Sequence, residues 1–237
     1  MKRDCDISRD CAGDVVPEAD PEIAVLMATY NGARYLAEQL SSLQAQTYKK
    51  WRLYVQDDSS TDDTVSILNS FIAGDERIVL LPGRTKLGAR DNFMSLLSEI
   101  EAEYYMFCDQ DDVWLPEKME VTLRKMRETE NRRGNCPVVV HTDLKVVDAR
   151  LNELCPSFWE MARIKPELLR TFNEAAGHNL VTGCTMMLNR QARAQSFPVG
   201  DAALMHDVWI TLCVLRAGGV VTEARKHTML YRQHGRN

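Results

Sequence analysis

Between residues 23 and 108, short apolar runs alternate with segments whose apolar residues recur every three or four positions. IAVLMA (23–28), WRLYVQ (51–56), RIVLL (77–81) and YYMFC (104–108) are the apolar runs, and each reads as a buried strand. Between them, ARYLAEQLSSLQAQ (33–46), TVSILNSFI (64–72) and DNFMSLLSEI (91–100) read as helices, the first with Tyr35, Leu36, Leu40 and Leu43 on one face. Strand, helix and strand repeated in this order predict an α/β fold on a mostly parallel sheet with right-handed crossovers.

Beyond residue 108 the regularity fades. Residues 116–130 predict a charged amphipathic helix, PVVVHTDLKVVD (137–148) one or two strands, and 151–173 an insertion without clear pattern. CTMML (184–188) and HTMLYRQ (227–233) read as strands around the helix VWITLCVLRA (208–217). With no internal repeat and no low-complexity linker, this second half is expected to belong to the same domain and to cover the sheet edge where ligands bind. Residues 1–20 are unpatterned and are expected to form a mobile tail, leaving 21–237 as a single domain.

Composition narrows the function. With 45% hydrophobic and 27% charged residues the chain is of ordinary globular type, and a net charge of -5 gives no general attraction to nucleic acid. Seven cysteines, an odd number without a C-x-x-C pair, indicate neither a disulfide framework nor a zinc knuckle and fit a reducing cytoplasm. The first 20 residues lack the apolar core of a signal peptide, and no later run approaches the roughly 18 apolar residues that span a bilayer. Any membrane association is then expected to be peripheral or supplied by another segment.

Ligands of open parallel sheets sit outside the carboxyl ends of the strands, so the polar clusters that follow strands carry the chemistry. In ATYNG (28–32), Asn31 and Gly32 suit a cap or tight turn, while Thr29 and Tyr30 are candidates to face a nucleoside. In QDDSSTDDT (56–64), Ser60 and Thr61 can cap the next helix and Asp62 and Asp63 complement its dipole. Asp57 and Asp58 come too early for that role and are placed to accept hydrogen bonds from a base or ribose. GRTKLGARDN (83–92) is either a solvated loop or one whose Lys86 and Arg90 meet a diphosphate.

In CDQDDVW (108–114), three carboxylates repel one another, and Asp109 and Asp111 can both reach one hard divalent cation that would neutralise them. Asp112 can cap the following helix instead, and Trp114 can be core. His206 and Asp207 precede an apolar helix, either as a cap or with Asp207 as a catalytic base at a rigid helix start open to the cleft. In YRQHGRN (231–237), His234 is either surface decoration or folds back onto the metal, and Arg232 onto a phosphate.

Together, ATYNG, QDDSSTDDT, KLGARDNF, FCDQDDVWLPEK, HNLVTGCTMML, HDVWITL and YRQHG resemble the family 2 glycosyltransferases, in particular the rhamnosyltransferase-like group of bacterial cell-surface polysaccharide biosynthesis. The resemblance implies a GT-A fold, Mg or Mn, and inverting transfer of a sugar from a nucleotide-diphospho-sugar, dTDP-rhamnose or a UDP-hexose. It also implies a saccharide or lipid-linked saccharide acceptor and action in the cytoplasm at the inner face of the plasma membrane. The nucleotide-binding half would be about 21–112 and the acceptor-side half about 113–237.

Carried over by position, Thr29, Tyr30 and Asp58 would hold the nucleoside with Asp57 nearby, and Lys86 or Arg90 would help the diphosphate. Asp109 and Asp111 match the metal and ribose motif, Asp111 as the direct ligand; His234 matches a histidine that approaches the metal, and Asp207 the base. Trp114, Trp159, His178, Asn179, Gly183 and His206 would line the sugar or acceptor pocket. Two departures stand out: the family's glycine is Ser59 here, and relatives usually continue beyond YRQHG with a segment that could bind acceptor or membrane. Two other readings remain open. DQDDV also fits the Asp-x-Asp-x-Val motif of haloacid-dehalogenase-like Mg phosphatases, although there it usually follows the first strand, and a non-catalytic nucleotide-sugar-binding subunit would need the same pocket without a base.

Overall fold

The run IAVLMAT forms β1 (Ile23–Thr29), buried along nearly its whole length in the computed structural model, which describes residues 21–83, 86–168, 170–177, 181–200 and 203–235. The segment expected to be a tail, 1–20, lies outside them. Continuous burial of this kind marks a central strand covered on both faces. α1 (Leu36–Gln44), β2 (Trp51–Asp57), α2 (Thr64–Ile72), β3 (Ile78–Leu80), α3 (Gly88–Glu99) and β4 (Tyr104–Cys108) follow. β1 pairs in parallel with β2 and β4, and β2 with β3, as the alternation requires.

The second half adds β5 (Val113–Trp114), α4 (Lys118–Arg133), β6 (Val138–Val147), β7 (Glu153–Cys155), α5 (Phe158–Met161) and α6 (Phe172–Gly177). It closes with β8 (Met187–Asn189), α7 (Arg190–Gln195), α8 (His206–Arg216) and β9 (Val220–Arg232). Among the described residues one sheet carries strands of both halves in the order β3-β2-β1-β4-β8-β6-β9-β5, with β7 paired to β6. β8 runs antiparallel between β4 and β6, so the sheet is mixed, while most paired residues lie in parallel register.

Alternation along β1 divides the core into two layers. Ile23, Val25 and Met27 pack with Leu36, Leu40, Leu43, Leu68 and Met119 from α1, α2 and α4. Ala24 and Leu26 face the other way, onto Phe93, Leu97, Ala192, Ile210 and Val214 from α3, α7 and α8.

Several boundaries differ from expectation for reasons outside the local sequence. α3 begins three residues early because the Asp58 carboxylate accepts the N–H groups of Leu87 and Gly88 and so caps the helix from another turn. CTMML is not one strand: Gly183–Thr185 forms a 3-10 turn before β8. β9 starts seven residues before the expected strand, its pattern masked by register shifts against β6 near Asp143. Asn189, whose Oδ1 accepts the Ala192 N–H at 2.9 Å, caps α7, a helix the sequence pattern did not show.

His141 stands fully buried in β6 with neither ring nitrogen hydrogen-bonded and Trp159 5.4 Å away. Burial pushes its pKa down to about 4, against a weaker opposing pull from Asp143. As pH falls, the unfolded chain takes up this proton near 6.5 and the folded chain only near 4, so stability is lost through that window by roughly 3 kcal/mol in total. His141→Phe is therefore expected to lose less melting temperature than the wild type between pH 6.5 and 4.5. Equal losses would mean that the buried ring is not the source.

Candidate active site

The carboxyl ends of β1, β2 and β4 lie side by side, and side chains lace together the turns that follow them. Thr29 is buried and its hydroxyl donates to Asp57 Oδ1 at 2.8 Å. Asp57 also accepts the Ser60 N–H at 2.8 Å and hydroxyl at 2.6 Å. The Asn31 N–H donates to Ser60 Oγ at 2.9 Å, Asn31 Oδ1 accepts the Thr61 N–H at 2.8 Å, and the Gly32 N–H reaches Thr64 Oγ1 at 2.9 Å. Ser60 and Thr61 thus bind the neighbouring turn instead of capping α2. Asp57 is committed to the same turn, which corrects its placement against a nucleoside. Ser59 sits at φ 68°, a left-handed conformation that glycine adopts without strain.

Asp58 lines a cleft of about 360 Å³ with Thr29, the half-exposed Tyr30 and Asp109. Its oxygens hold Leu87 and Gly88 at 2.7 and 2.9 Å but keep acceptor capacity for a ligand. The two expected phosphate cations do not join it. Lys86 is exposed and is not among the residues that line the cleft, and Arg90 is bound to Asp91 and, at 2.6 Å, to the Ala203 carbonyl. A second cleft of about 610 Å³ adjoins the first, lined by Arg34, Tyr35, Asp111 and His234. Arg34, over the Tyr35 ring at 4.9 Å, is a cation at this edge that strand-end reasoning missed because it lies at the start of a helical pattern.

The three carboxylates after β4 occupy different environments. Asp109 is half-buried, and burial, then the charges of Asp111 and Asp207, push its pKa up to about 7. Asp111 meets the His234 ring, with Oδ2 to Nε2 at 2.8 Å, so the terminal histidine does fold back onto the acidic turn. Asp112 is buried and does not cap α4: its Oδ1 accepts the Arg232 N–H at 3.0 Å, and its Oδ2 has no hydrogen-bond partner. Beneath them Lys118 is fully buried, 4.7 Å from the Trp114 ring centroid, its pKa pushed down to about 8 by burial against the pull of nearby thiols and carboxylates.

This donor set fits a divalent cation. Asp109, Asp112 and Cys184 have ligand atoms within 4.8 Å of one another, and Asp111, on the same turn as the two carboxylates, meets His234 from just beyond β9. The carboxylate oxygens suit Mg or Mn, whereas the Cys184 thiol, its pKa pushed well up by burial, is a poor ligand for either. Arg232, expected at a phosphate, is instead 1% exposed and structural. It donates to the carbonyls of Asp111 at 2.7 Å and Ala149 at 2.9 Å, pairs with Glu38, and stacks on Tyr35 at 4.4 Å.

On the acceptor side, Asp207 begins α8, but it is 7% exposed and not open as expected. Its Oδ2 accepts the Gly183 N–H at 3.1 Å and its Oδ1 the Val208 N–H at 2.7 Å. His206 is buried between Phe93 and Phe107, with ring centroids at 4.5 and 4.6 Å, and burial pushes its pKa down to about 4. A Cβ on Gly183 would stand 2.5 Å from His206 Nε2, so the glycine supports this packing, and both residues are buried. Trp114, 2% exposed, is core and cannot stack on a sugar. Trp159 packs against His141, and His178 and Asn179 lie outside the described residues.

Residues 24–197 match Glycosyl transferase family 2. The chain belongs to this family. Among curated proteins, this family 2 glycosyltransferase is 28% identical to "dTDP-rhamnosyl transferase RfbG" of Shigella flexneri over 89% of the chain and 72% of that protein. It is 32% identical to "UDP-Glc:alpha-D-GlcNAc-diphosphoundecaprenol beta-1,3-glucosyltransferase WfgD" of Escherichia coli over 44% of the chain and 40% of that protein. Among solved structures it resembles S. aureus TarS 1-349 in complex with UDP-GlcNAc (TM-score 0.63, 18% identity, 91% of this chain and 60% of that one). It also resembles the mannosyltransferase PcManGT from Pyrobaculum calidifontis in complex with GDP-Man and Mn2+ (TM-score 0.65, 16% identity, 100% of this chain and 62% of that one). The fold is therefore GT-A, as expected, and the family excludes the phosphatase reading of DQDDV. Among the described residues no helix is long and apolar enough to cross a membrane.

Arg232→Met is expected to cost roughly 3 kcal/mol, because it strips charge-assisted bonds from two carbonyls and one carboxylate. A chemical denaturation midpoint unchanged from the wild type would show that Arg232 does not hold the acidic turn.

Proposed function

We propose that this chain is a single catalytic domain that transfers a sugar, with inversion, from a nucleotide-diphospho-sugar to a saccharide or lipid-linked saccharide acceptor in cell-surface polysaccharide synthesis. The observation that carries the reading is the acidic turn Asp109–Asp112, met by His234 and shared between two clefts at the carboxyl edge of a parallel sheet in a family 2 chain. The Shigella relative favours dTDP-rhamnose as donor, and the glucosyltransferase and UDP-GlcNAc-bound relatives keep a UDP-hexose as the alternative.

The nucleoside enters the cleft between Tyr30 and Asp58, with Asp109 toward the ribose. Asp111 and His234, with Asp109, would hold Mg or Mn, a role supported by the Mn2+ named with PcManGT. When bound, the cation supplies positive charge that stabilises the departing diphosphate. Arg34, which lines the second cleft with Asp111 and His234, takes the place of Lys86 and Arg90 as the cation toward the diphosphate. Asp207 accepts the proton of the acceptor hydroxyl; the Gly183 N–H and the start of α8 hold its carboxylate in place, and acceptor binding must open the 7% exposed site. The five cysteines among the described residues are free, in keeping with work at the cytoplasmic face of the plasma membrane.

Thermal-shift screening of nucleotide-sugars with and without Mn is expected to show one metal-dependent stabilisation in the wild type and none in Asp111→Ala. Asp207→Asn is expected to keep that donor shift and lose at least about 100-fold in transfer rate. A near wild-type rate in Asp207→Asn would remove this residue from the mechanism, and donor binding without transfer to any acceptor extract would turn the reading toward a binding subunit.

A further inference from the structure

Gln110 stands between the two carboxylates assigned to the cation and ribose, yet its side chain turns across to another loop. Its Oε1 accepts the Tyr30 N–H at 2.9 Å, and its Nε2 donates to the Tyr30 carbonyl at 3.0 Å. One amide thus satisfies both backbone groups of one residue, as a partner strand would. Asn and Gln carry a carbonyl acceptor and an N–H donor side by side on one planar group, and Asn is one methylene shorter.

The opposing loop is shaped to receive it. A Cβ on Gly32 would lie 2.1 Å from Gln110 Oε1 and 2.4 Å from its Cδ, so the amide rests where any other residue at position 32 would place its side chain. Tyr30, Gln110 and Asp111 each line both clefts, which makes the clamped pair the wall between them.

We propose that Gln110 is a positioning residue that locks the Tyr30 backbone to the acidic turn, so that nucleoside-facing and cation-holding groups form one preorganised donor site. The assignment rests on the donor-site reading above for its functional consequence, but the clamp itself does not. A flexible wall would have to be ordered at the moment of binding, and that entropic cost would weaken the nucleotide without altering the chemistry that follows. Gly32 belongs to the same device, its missing side chain being the space the amide fills.

Two measurements on the full chain separate clamp from function. In hydrogen exchange without nucleotide, Gln110→Ala is expected to speed exchange of the Tyr30 amide at least about tenfold, while amides in the centre of β1 keep their protection. Unchanged exchange at Tyr30 would overturn the clamp. In calorimetric titration with dTDP, UDP and GDP in the presence of MnCl2, Gln110→Ala is expected to weaken the nucleotide that binds the wild type by about tenfold, or 1.4 kcal/mol. The melting temperature of the free protein should change little, since the exposed amide contributes mainly to loop order.

Gly32→Ala is expected to weaken binding similarly by expelling the amide, and to add less than about twofold in a Gln110→Ala background, the non-additivity of a shared contact. Binding unchanged in Gln110→Ala, or an equal cost of Gly32→Ala in both backgrounds, would overturn the positioning role. If no nucleotide binds the wild type while Tyr30 exchange still depends on Gln110, the clamp stands and the donor-site reading falls.

Discussion

Three carboxylates at the end of a buried strand cannot sit together unless their charge is answered, and much of the site is built around that constraint. Each one is answered differently. Asp112 accepts the Arg232 N–H, and burial with the charge of Asp109 pushes its pKa well up; Asp111 meets the His234 ring; Asp109 is pushed up to about 7 by burial and by its acidic neighbours. Asp109 and Asp111 line the cleft, where a divalent cation would complete the balance.

Those answers come from distant parts of the chain, which is how the fold and the site depend on each other. β9 reaches the acidic turn only because β8 enters antiparallel between β4 and β6 and places β9 beyond them, with β5 returning to pair with it at Val113 and Trp114. Arg232, at the end of β9, then spans Asp111, Ala149 and Glu38. The same edge is tied on its other side by Thr29, Asn31, Ser60 and Thr64. The groups proposed to meet nucleoside and cation are thus fixed mainly by hydrogen bonds between loops, each loop set by the strand that carries it.

Several residues that looked like ligand contacts are engaged by other parts of the protein. Asp57 holds a turn, Arg232 braces a backbone, and His206 and Gly183 pack behind Asp207. Conversely Gln110, unremarkable between two aspartates, spans both clefts. A polar residue at a strand end has the right chemistry for either role, and the choice depends on which partners lie within hydrogen-bond reach.

The sequence by itself determined the β1 to β4 alternation, because each strand is a continuous apolar run and each helix a 3.6-residue pattern, both local signals. It also determined that DQDD must hold or answer charge, and the order of its motifs pointed to the family. Only the tertiary structure decided that α3 starts at Gly88, since its cap is the remote Asp58, and that CTMML breaks into a turn and a short antiparallel strand. It alone decided that His234 reaches Asp111, that Trp114 is core, and that Arg90 is taken by Asp91 and Ala203. The physical reason is range: patterning records which face of an element is buried, whereas a carboxylate, guanidinium or amide is committed by whichever partner comes within about 3 Å after the chain has closed.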